Sequence, residues 1–269
     1  MSIFKYVSST TGVAYLQSWH LRLAAAESLN DPFEMLPAIN PVLGDLLSHA
    51  SQTAPKGLAD AERSTFTEQA DGAIVSPYLP ANAAVSIEEA VAEAFATSQG
   101  VLCLTRTRNH LLMWAHYGEG HKGMLLEFNE HHSCFRRQSG KSKFQGRLMP
   151  VTYDDSRPQV SAWRSEAFGR SLSTKALEWA YEQEVRLFWQ LAEADKTVGN
   201  DAHGRPIHLY ATPAAALVSV TLGARVTSHY VATVRESLAA TSLTKHVNLW
   251  TAEVDRAHFR INYVPSRLV

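Results

Sequence analysis

The alternation of apolar and polar positions along the chain predicts short strands interleaved with helices, without an internal repeat. Residues with an apolar period of two, or in short buried apolar runs, are predicted to form strands at 3–7, 21–25, 101–105, 124–128, 147–153, 182–191, 217–222, 247–254 and 259–264. Apolar spacings of three and four predict helices at 10–18, 86–98, 171–181 and 228–240, and a short helix that Asn109 can cap. We therefore expect an α+β fold with a central mixed or mostly antiparallel sheet flanked by helices.

A long segment near the N-terminal side interrupts this alternation. Its helical pattern is broken by Pro37, Pro41 and Pro55, and residues 71–82 have the composition of a loop. We expect residues 35–98 to form a helical insertion within a single domain that spans residues 1–269.

Composition and charge limit the classes of partner. The chain has 269 residues, 45% of them hydrophobic, and a formal net charge of -1, so no overall basic character favours nucleic acid or an anionic membrane. Its two cysteines, Cys103 and Cys134, are far apart in sequence, which is typical of reduced thiols in the cytoplasm. No targeting segment and no apolar run of the roughly 18 residues needed to cross a bilayer is found, so we expect a cytoplasmic protein without a membrane partner.

The strongest chemical signal lies at residues 179–186. On a strand, Glu182 and Glu184 would project from one face with Arg186, their side chains roughly 6 to 7 Å apart. Two such carboxylates in a partly dry cleft could orient a ribose hydroxyl and stabilise positive charge at an anomeric carbon. The alternative is a surface strand whose acidic and basic side chains only pair along the sheet.

A second signal is the Met-Trp-Ala-His-Tyr segment at residues 113–117. A nicotinamide or nucleobase ring could stack on Trp114 or Tyr117, while His116 and Lys122 reach phosphate or ribose oxygens. The alternative is that Trp114 belongs to the hydrophobic core and that His116 is a hydrogen-bonded interior histidine.

The third signal, an Asn-Asp-Pro-Phe-Glu segment, follows a predicted strand. Asn30 and Asp31, together with Glu34, could contact a ligand, but the same residues are typical of a turn and a helix start.

Other site classes lack their sequence patterns. The chain has twelve histidines but no metal-binding spacing of His, Cys or acidic residues, and we expect no metal. Phosphate-binding glycine loops and the nucleophile elbow of α/β-hydrolases are also missing.

Taken in order, these segments resemble a widespread bacterial family known only as a domain of unknown function, whose members often lie near phage-defence or toxin-like genes. The resemblance starts at Phe4-Lys5-Tyr6 and continues through residues 30–34 and 112–123 to Lys175, Trp179 and the Glu182 to Arg186 motif. It covers almost the whole chain, as far as the strand end at Leu222-Gly223. It implies membership in that family without implying an activity.

The order of elements also resembles that of ADP-ribosyltransferases, including the toxins that modify DNA and RNA. This second resemblance implies that Lys5 on the first strand touches the ribose of NAD and that Tyr6, with Tyr117 or Trp114, clamps nicotinamide. Glu184 would orient the ribose and stabilise the oxocarbenium ion, while Glu182 activates the acceptor. It also implies an ADP-ribosyltransferase-like fold and NAD as the substrate.

The leading hypothesis is an NAD-consuming toxin or phage-defence effector that modifies RNA, DNA or protein and has an antitoxin or immunity partner. One alternative is a hydrolase or nuclease that uses Asp31, Glu34, His116 and Glu184. Another is a module that senses a nucleotide, or binds a partner, without catalysis.

Overall fold

The computed structural model describes residues 2–25, 28–31, 33, 38–39, 98–138, 146–160 and 172–266. Its strands are β1 Ser2–Val7, β2 His20–Arg22, β3 Ala38–Ile39, β4 Gln99–Thr105, β5 Met124–Asn129, β6 Leu148–Pro150, β7 Thr152–Asp154, β8 Gln159–Val160, β9 Thr174–Ala176, β10 Glu184–Gln190, β11 Lys196–Asn200, β12 Pro206–Ala211, β13 Leu217–Leu222, β14 Asn248–Val254 and β15 Ile261–Pro265. The α-helices in the described ranges are α1 Ser9–Ser18, α2 Leu111–His116 and α3 Ser228–Ala239. Short 3-10 helices cover Ser133–Arg136, Leu177–Glu182, Leu191–Glu193, Ala214–Ala216 and Ser242–Thr244.

A sheet of eight strands forms the centre of the molecule, in the order β15-β14-β13-β5-β1-β4-β10-β6. Strands β13 and β14 are parallel, which requires a crossover, and α3 supplies it. The other pairs in this sheet are antiparallel. The predicted single α+β domain with a central mixed sheet and flanking helices is therefore confirmed.

Both faces of the central sheet are covered. On one face Ile3 and Val7 pack in the largest apolar cluster, which α1 and α3 complete. On the other face Phe4 and Tyr6 pack against Trp114 of α2. Because successive residues of a strand point to opposite faces, β1 serves both clusters.

The contact between β1 and β4 is interrupted. Within these two strands, the pair in register is Phe4 with Thr105, and further along β4 the backbone of Val101 bonds instead to Ala24. Between those points the carbonyl of Cys103 accepts a hydrogen bond from Lys5 Nζ at 2.8 Å. A side chain thus occupies a position in the sheet where backbone pairing is incomplete.

The largest error of the sequence-based prediction lies just before β10. The helix predicted at residues 171–181 is replaced by β9 and the 3-10 helix Leu177–Glu182, and the strand predicted from residue 182 begins at Glu184. Strand β9 pairs with β7, a partner distant in sequence, so the local helical spacing did not decide this structure.

Two smaller features also differ from the sequence-based prediction. His110, not Asn109, is the N-cap residue of α2, and the Asn109 side chain donates to the carbonyl of Ile261 at 2.8 Å. Strands β11 and β12, which pair with β2 in a three-stranded sheet, were not predicted.

The insertion predicted at residues 35–98 lies outside the described residues, apart from β3 and Ser98. None of the described helices is long and apolar enough to span a membrane.

Candidate active site

A cleft of about 190 Å³ opens where β1, β4 and β10 lie side by side. Of the residues predicted for the site, those that line it are Lys5, Tyr6, Asn30, Tyr117, Glu182 and Glu184. They come from segments separated by most of the chain length, and the order of strands in the sheet brings them together.

The two glutamates meet at a lysine. Lys175 Nζ lies 2.7 Å from Glu182 Oε2 and 3.7 Å from Glu184 Oε2, and all three side chains are buried. The ammonium therefore separates two carboxylates that would otherwise repel each other.

A sharp bend in the backbone brings the two acids to the same lysine. Glu182 ends a 3-10 helix and Glu184 begins β10, while Gln183 between them has a left-handed conformation, with φ of 44° and ψ of 48°. The backbone is held there because Arg106 N donates to the Gln183 carbonyl at 2.9 Å and Thr105 Oγ1 donates to the Glu182 carbonyl. The convergence of the acids arises from this turn and not from the strand face that the sequence predicted.

Arg186 lies behind Glu184, away from the cleft. Its Nε and Nη2 donate to the two oxygens of Glu184 at 2.9 Å each, its Nη1 donates to the carbonyl of Leu172 at 2.7 Å, and it is fully buried. Burial alone would raise the pKa of Glu184, but the charges of Arg186 and Lys175 outweigh burial and hold that pKa below its usual value. Glu184 is therefore a fixed, ionised carboxylate at neutral pH.

Lys5 faces Glu184 across the cleft from the first strand. The residue is partly exposed, yet burial around its ammonium lowers the pKa, an effect that nearby Cys103 and Glu184 partly offset. With Lys5, Lys175 and Arg186 set against two carboxylates, the charged cluster has one more cation than anions. This balance favours an anionic ligand such as a phosphate ester.

Two tyrosines, together with Phe4, supply the aromatic part of the lining. Tyr117 Oη donates to Glu182 Oε1 at 2.5 Å, and burial together with this carboxylate raises the pKa of Tyr117. Tyr6 Oη donates to the carbonyl of Arg108 at 2.7 Å, which fixes the Tyr6 ring against the cleft. Both hydroxyl groups donate to protein acceptors, so the orientation of both rings is fixed.

Besides Arg186 and Asp31, three predicted site residues do not line this cleft. Trp114 is fully buried, and its ring packs edge-on against Tyr6 with centroids 5.1 Å apart. His116 is exposed at the end of α2, and Lys122 is exposed in the turn that follows. For Trp114 the structure agrees with the core alternative, whereas His116 is neither an interior histidine nor part of the cleft.

Asp31 lies beside the cleft and lines a separate cavity, which also contacts Lys175. Glu34 lies outside the described residues.

Sequence reasoning did not place Lys175 in the site. It lies seven residues before Glu182, in a segment predicted as helix, and no common motif links a lysine to acids at that spacing. Its presence among the residues that carried the family resemblance was the one available signal. Thr105 and Arg22 also line the cleft without having been predicted.

Metal ligation is not indicated by the geometry of the described side chains. Within those residues, no group of three or more His, Cys, Asp or Glu side chains is placed to hold a metal ion. The carboxylates of the cleft instead contact ammonium and guanidinium groups.

Comparison with known proteins gives one similarity. No curated protein and no solved structure matches this chain. Residues 113–187, less than half of the chain, match a family described as protein of unknown function (DUF2971). The matched stretch contains the end of α2, all of β5, Lys175 and both glutamates of the cleft, so this part of the chain is similar to a family of unknown function.

Proposed function

We propose that the protein is an ADP-ribosyltransferase-like enzyme that uses NAD as its substrate and modifies a macromolecule, as a bacterial toxin or phage-defence effector. In this reaction the bond between ribose C1′ and the nicotinamide nitrogen breaks, and nicotinamide leaves with the bonding electrons. An acceptor nucleophile then forms a bond to C1′ and loses its proton.

The observation that carries the proposal is the placement of Lys5 and Glu184. Strands β1, β4 and β10 are neighbours in the sheet, and Lys5 and Glu184 line one cleft from the first and last of them. The resemblance to ADP-ribosyltransferases assigns a basic residue on the first strand and a late glutamate to the same NAD.

The ionisation and hydrogen-bonding capacity of Glu184 suit it to stabilise a cationic transition state. A carboxylate can accept about four hydrogen bonds, so pairing with Arg186 leaves acceptor capacity for a ribose hydroxyl. Because its pKa is held low, Glu184 carries a negative charge when the oxocarbenium ion develops. Tyr6 and Tyr117 would flank the nicotinamide ring, and Lys5 would contact the ribose or a phosphate.

Nicotinamide release from NAD tests the proposal directly. Glu184→Gln is expected to lower the rate by at least about a hundredfold, since removal of one group that stabilises transition-state charge typically costs that much. Glu182→Gln is expected to retain release to water but to lose transfer to an acceptor. Glu178→Gln is the matched control, because Glu178 is an exposed glutamate of the same 3-10 helix.

Melting curves of all variants would separate loss of folding from loss of chemistry. Equal release by wild type and Glu184→Gln, or no release by the wild type with RNA, DNA and protein acceptors, would reject the catalytic proposal.

One observation favours a second candidate, a nucleotide-sensing module without turnover. Both oxygens of Glu182 are already engaged, one by Lys175 and one by Tyr117, which leaves this acid less available as a base. Such a module would bind NAD or a related nucleotide in calorimetry while the ligand stayed chemically intact. The hydrolase or nuclease hypothesis has less support, because Asp31 lines a different cavity from Glu184 and His116 is exposed.

A further inference from the structure

A groove of about 420 Å³ lies beside the loop that joins β14 to β15, residues 255–260. The first residue of α2 and the residues that follow β13 complete its described lining. None of these residues lines the cleft that contains Lys5 and Glu184. The groove is therefore a surface feature separate from the candidate active site.

Three large apolar side chains around this groove face solvent. Phe259 is fully exposed, Val254 is 68% exposed and Leu111 is 38% exposed. A single exposed apolar side chain is ordinary on a protein surface, whereas several around one groove mark an interaction site.

The 255–260 loop is held in one shape by Asp255. Asp255 Oδ1 accepts the backbone N–H groups of Ala257 and His258 at 2.8 Å each. Its Oδ2 accepts Arg260 Nε at 2.8 Å and Asn262 Nδ2 at 2.9 Å. The exposed phenyl ring of this loop is thus displayed to solvent by a hydrogen-bonded backbone.

Arginines surround the same groove. Its described lining contains Arg225, Arg256 and Arg260, all exposed, and one acid, Asp255, which is paired with Arg260. Positive charge is therefore concentrated here, although the whole chain has a net charge of -1. The partner that fits this surface carries negative charge and also offers an apolar environment.

An anionic bilayer fits these properties better than a single-stranded nucleic acid does. Nucleic acid gains affinity when successive bases stack on planar side chains, but two of the three exposed apolar side chains, Val254 and Leu111, are aliphatic. Aliphatic and aromatic side chains alike are stabilised among acyl chains, while arginines are attracted to anionic headgroups.

A bilayer also fits better than a folded protein partner. A protein would need a pocket of matching shape to bury the fully exposed ring of Phe259. The acyl region of a bilayer adapts to the side chain that enters it, so no matching pocket is needed.

We propose that the groove and the 255–260 loop form a docking surface for an anionic phospholipid bilayer. Phe259 and Val254 enter the boundary between headgroups and acyl chains, and Arg225 and Arg256 contact headgroup phosphates. Such binding is peripheral and requires no membrane-spanning helix. Overall charge did not predict it, because the arginines are gathered by the fold, and it does not depend on the proposed function.

Sedimentation of the full chain with lipid vesicles tests the docking surface. The wild type is expected to bind vesicles of equal parts phosphatidylglycerol and phosphatidylcholine at least about tenfold more tightly than vesicles of phosphatidylcholine alone, since each arginine near an anionic surface contributes about fivefold. Added salt should weaken this binding, because it screens exposed charges.

Variants at exposed positions separate insertion from charge. Phe259→Ala should weaken binding to the anionic vesicles at least about tenfold, whereas Phe259→Trp, which keeps a large ring, should bind as the wild type does. Arg256→Gln should weaken binding about fivefold. Leu243→Ala and Arg136→Gln are the matched controls, because both residues are exposed and neither lines the groove.

Melting curves of all variants would show that the exposed substitutions leave the fold intact. Absence of vesicle binding by the wild type, or equal binding by the wild type and Phe259→Ala, would overturn the proposal. Binding of a single-stranded oligonucleotide, lost in Phe259→Ala, without binding of vesicles would assign the surface to nucleic acid instead.

Nicotinamide release measured without vesicles keeps this test apart from the proposed function. Phe259→Ala should release nicotinamide as the wild type does, because Phe259 does not line the cleft. Vesicle binding by a protein that releases no nicotinamide would uphold the docking surface and reject the enzyme, and the reverse result would do the opposite.

Discussion

At the scale of single residues, the arrangement of charges around Glu184 dominates the candidate site. Glu184 and Arg186 are two residues apart on β10, point to the same face and form a two-pronged ion pair that is almost completely buried. Removing one member of such a pair is more harmful than removing both, because the remaining charge stays buried without a partner. The pair therefore holds Glu184 in place and also makes the fold sensitive to substitutions there.

Arg186→Met is expected to lower the free energy of unfolding by about 3 to 5 kcal/mol, since it leaves the Glu184 carboxylate without its main counter-ion. The double variant Arg186→Met with Glu184→Gln should lose less free energy of unfolding than the two single variants lose together. Urea unfolding of all four proteins at neutral pH measures this coupling, and additive losses would contradict it.

The depressed pKa of Glu184 predicts a specific dependence of stability on pH. A carboxyl group with a lower pKa in the folded than in the unfolded state contributes stability above the unfolded value, about 4.3. That contribution is lost as the pH falls below about 4.3 through the folded pKa. When unfolding is measured from pH 7 to pH 3, the free energy of unfolding should therefore fall less steeply with decreasing pH for Glu184→Gln than for the wild type. The same pH dependence in both proteins would mean that the ionised Glu184 carboxylate does not stabilise the folded state.

At the scale of elements, the junction between the 3-10 helix Leu177–Glu182 and β10 decides the geometry of the site. Gln183 adopts a left-handed conformation that costs a residue with a side chain roughly 1 kcal/mol or more. The hydrogen bonds from Arg106 and Thr105 to the flanking carbonyls hold the bend in place.

Gln183→Gly is expected to leave stability unchanged or to raise it by up to about 1 kcal/mol, because glycine adopts this conformation readily. Gln183→Val should lower stability by about 1 to 2 kcal/mol, since a β-branched side chain is least compatible with positive φ. Chemical unfolding of both variants measures the difference, and equal stabilities would show that the bend is not strained.

At the scale of the whole molecule, the sheet order creates a cleft that is locally positive in a chain of net charge -1. Which ligands are attracted depends on the local charges, Lys5 and Lys175 in the cleft with Arg186 behind Glu184, and not on overall composition. The cleft also lies where the pairing of β1 with β4 is incomplete, so a ligand there would bridge two strands of the central sheet.

NAD should raise the melting temperature of the wild type, because a ligand present at 100 times its dissociation constant stabilises the folded state by about 2.7 kcal/mol. Lys5→Met should reduce this shift strongly, whereas Lys196→Met, which removes an exposed lysine on β11, should leave it intact. Thermal denaturation with and without NAD measures both shifts. The same shift in both variants would argue against Lys5 as a ligand contact.

The sequence alone was sufficient to predict the fold class and several strands, including β1, β5 and β13. The spacing of apolar residues in these strands matches their burial against the faces of the sheet. It also identified Glu182 and Glu184, since acids beside aromatic residues are unusual in a chain otherwise rich in alanine and leucine. The sequence does not decide the roles of Trp114 and His116, because an aromatic residue or a histidine at helical spacing is compatible with core, surface and binding roles alike.

Only the tertiary structure decided how these residues meet. Local spacing predicted a helix around Lys175, but pairing of β9 with β7 and the turn at Gln183 bring its ammonium between the two acids. Likewise, the Asn-Asp-Pro pattern at residues 30–32 predicts a turn, whereas the cavity that Asp31 lines is formed together with β9 and the turn after β7. The apolar periodicity of a segment predicts which of its residues are buried. The distance between two charged side chains depends instead on strand order and on pairing between distant segments, which no local pattern encodes.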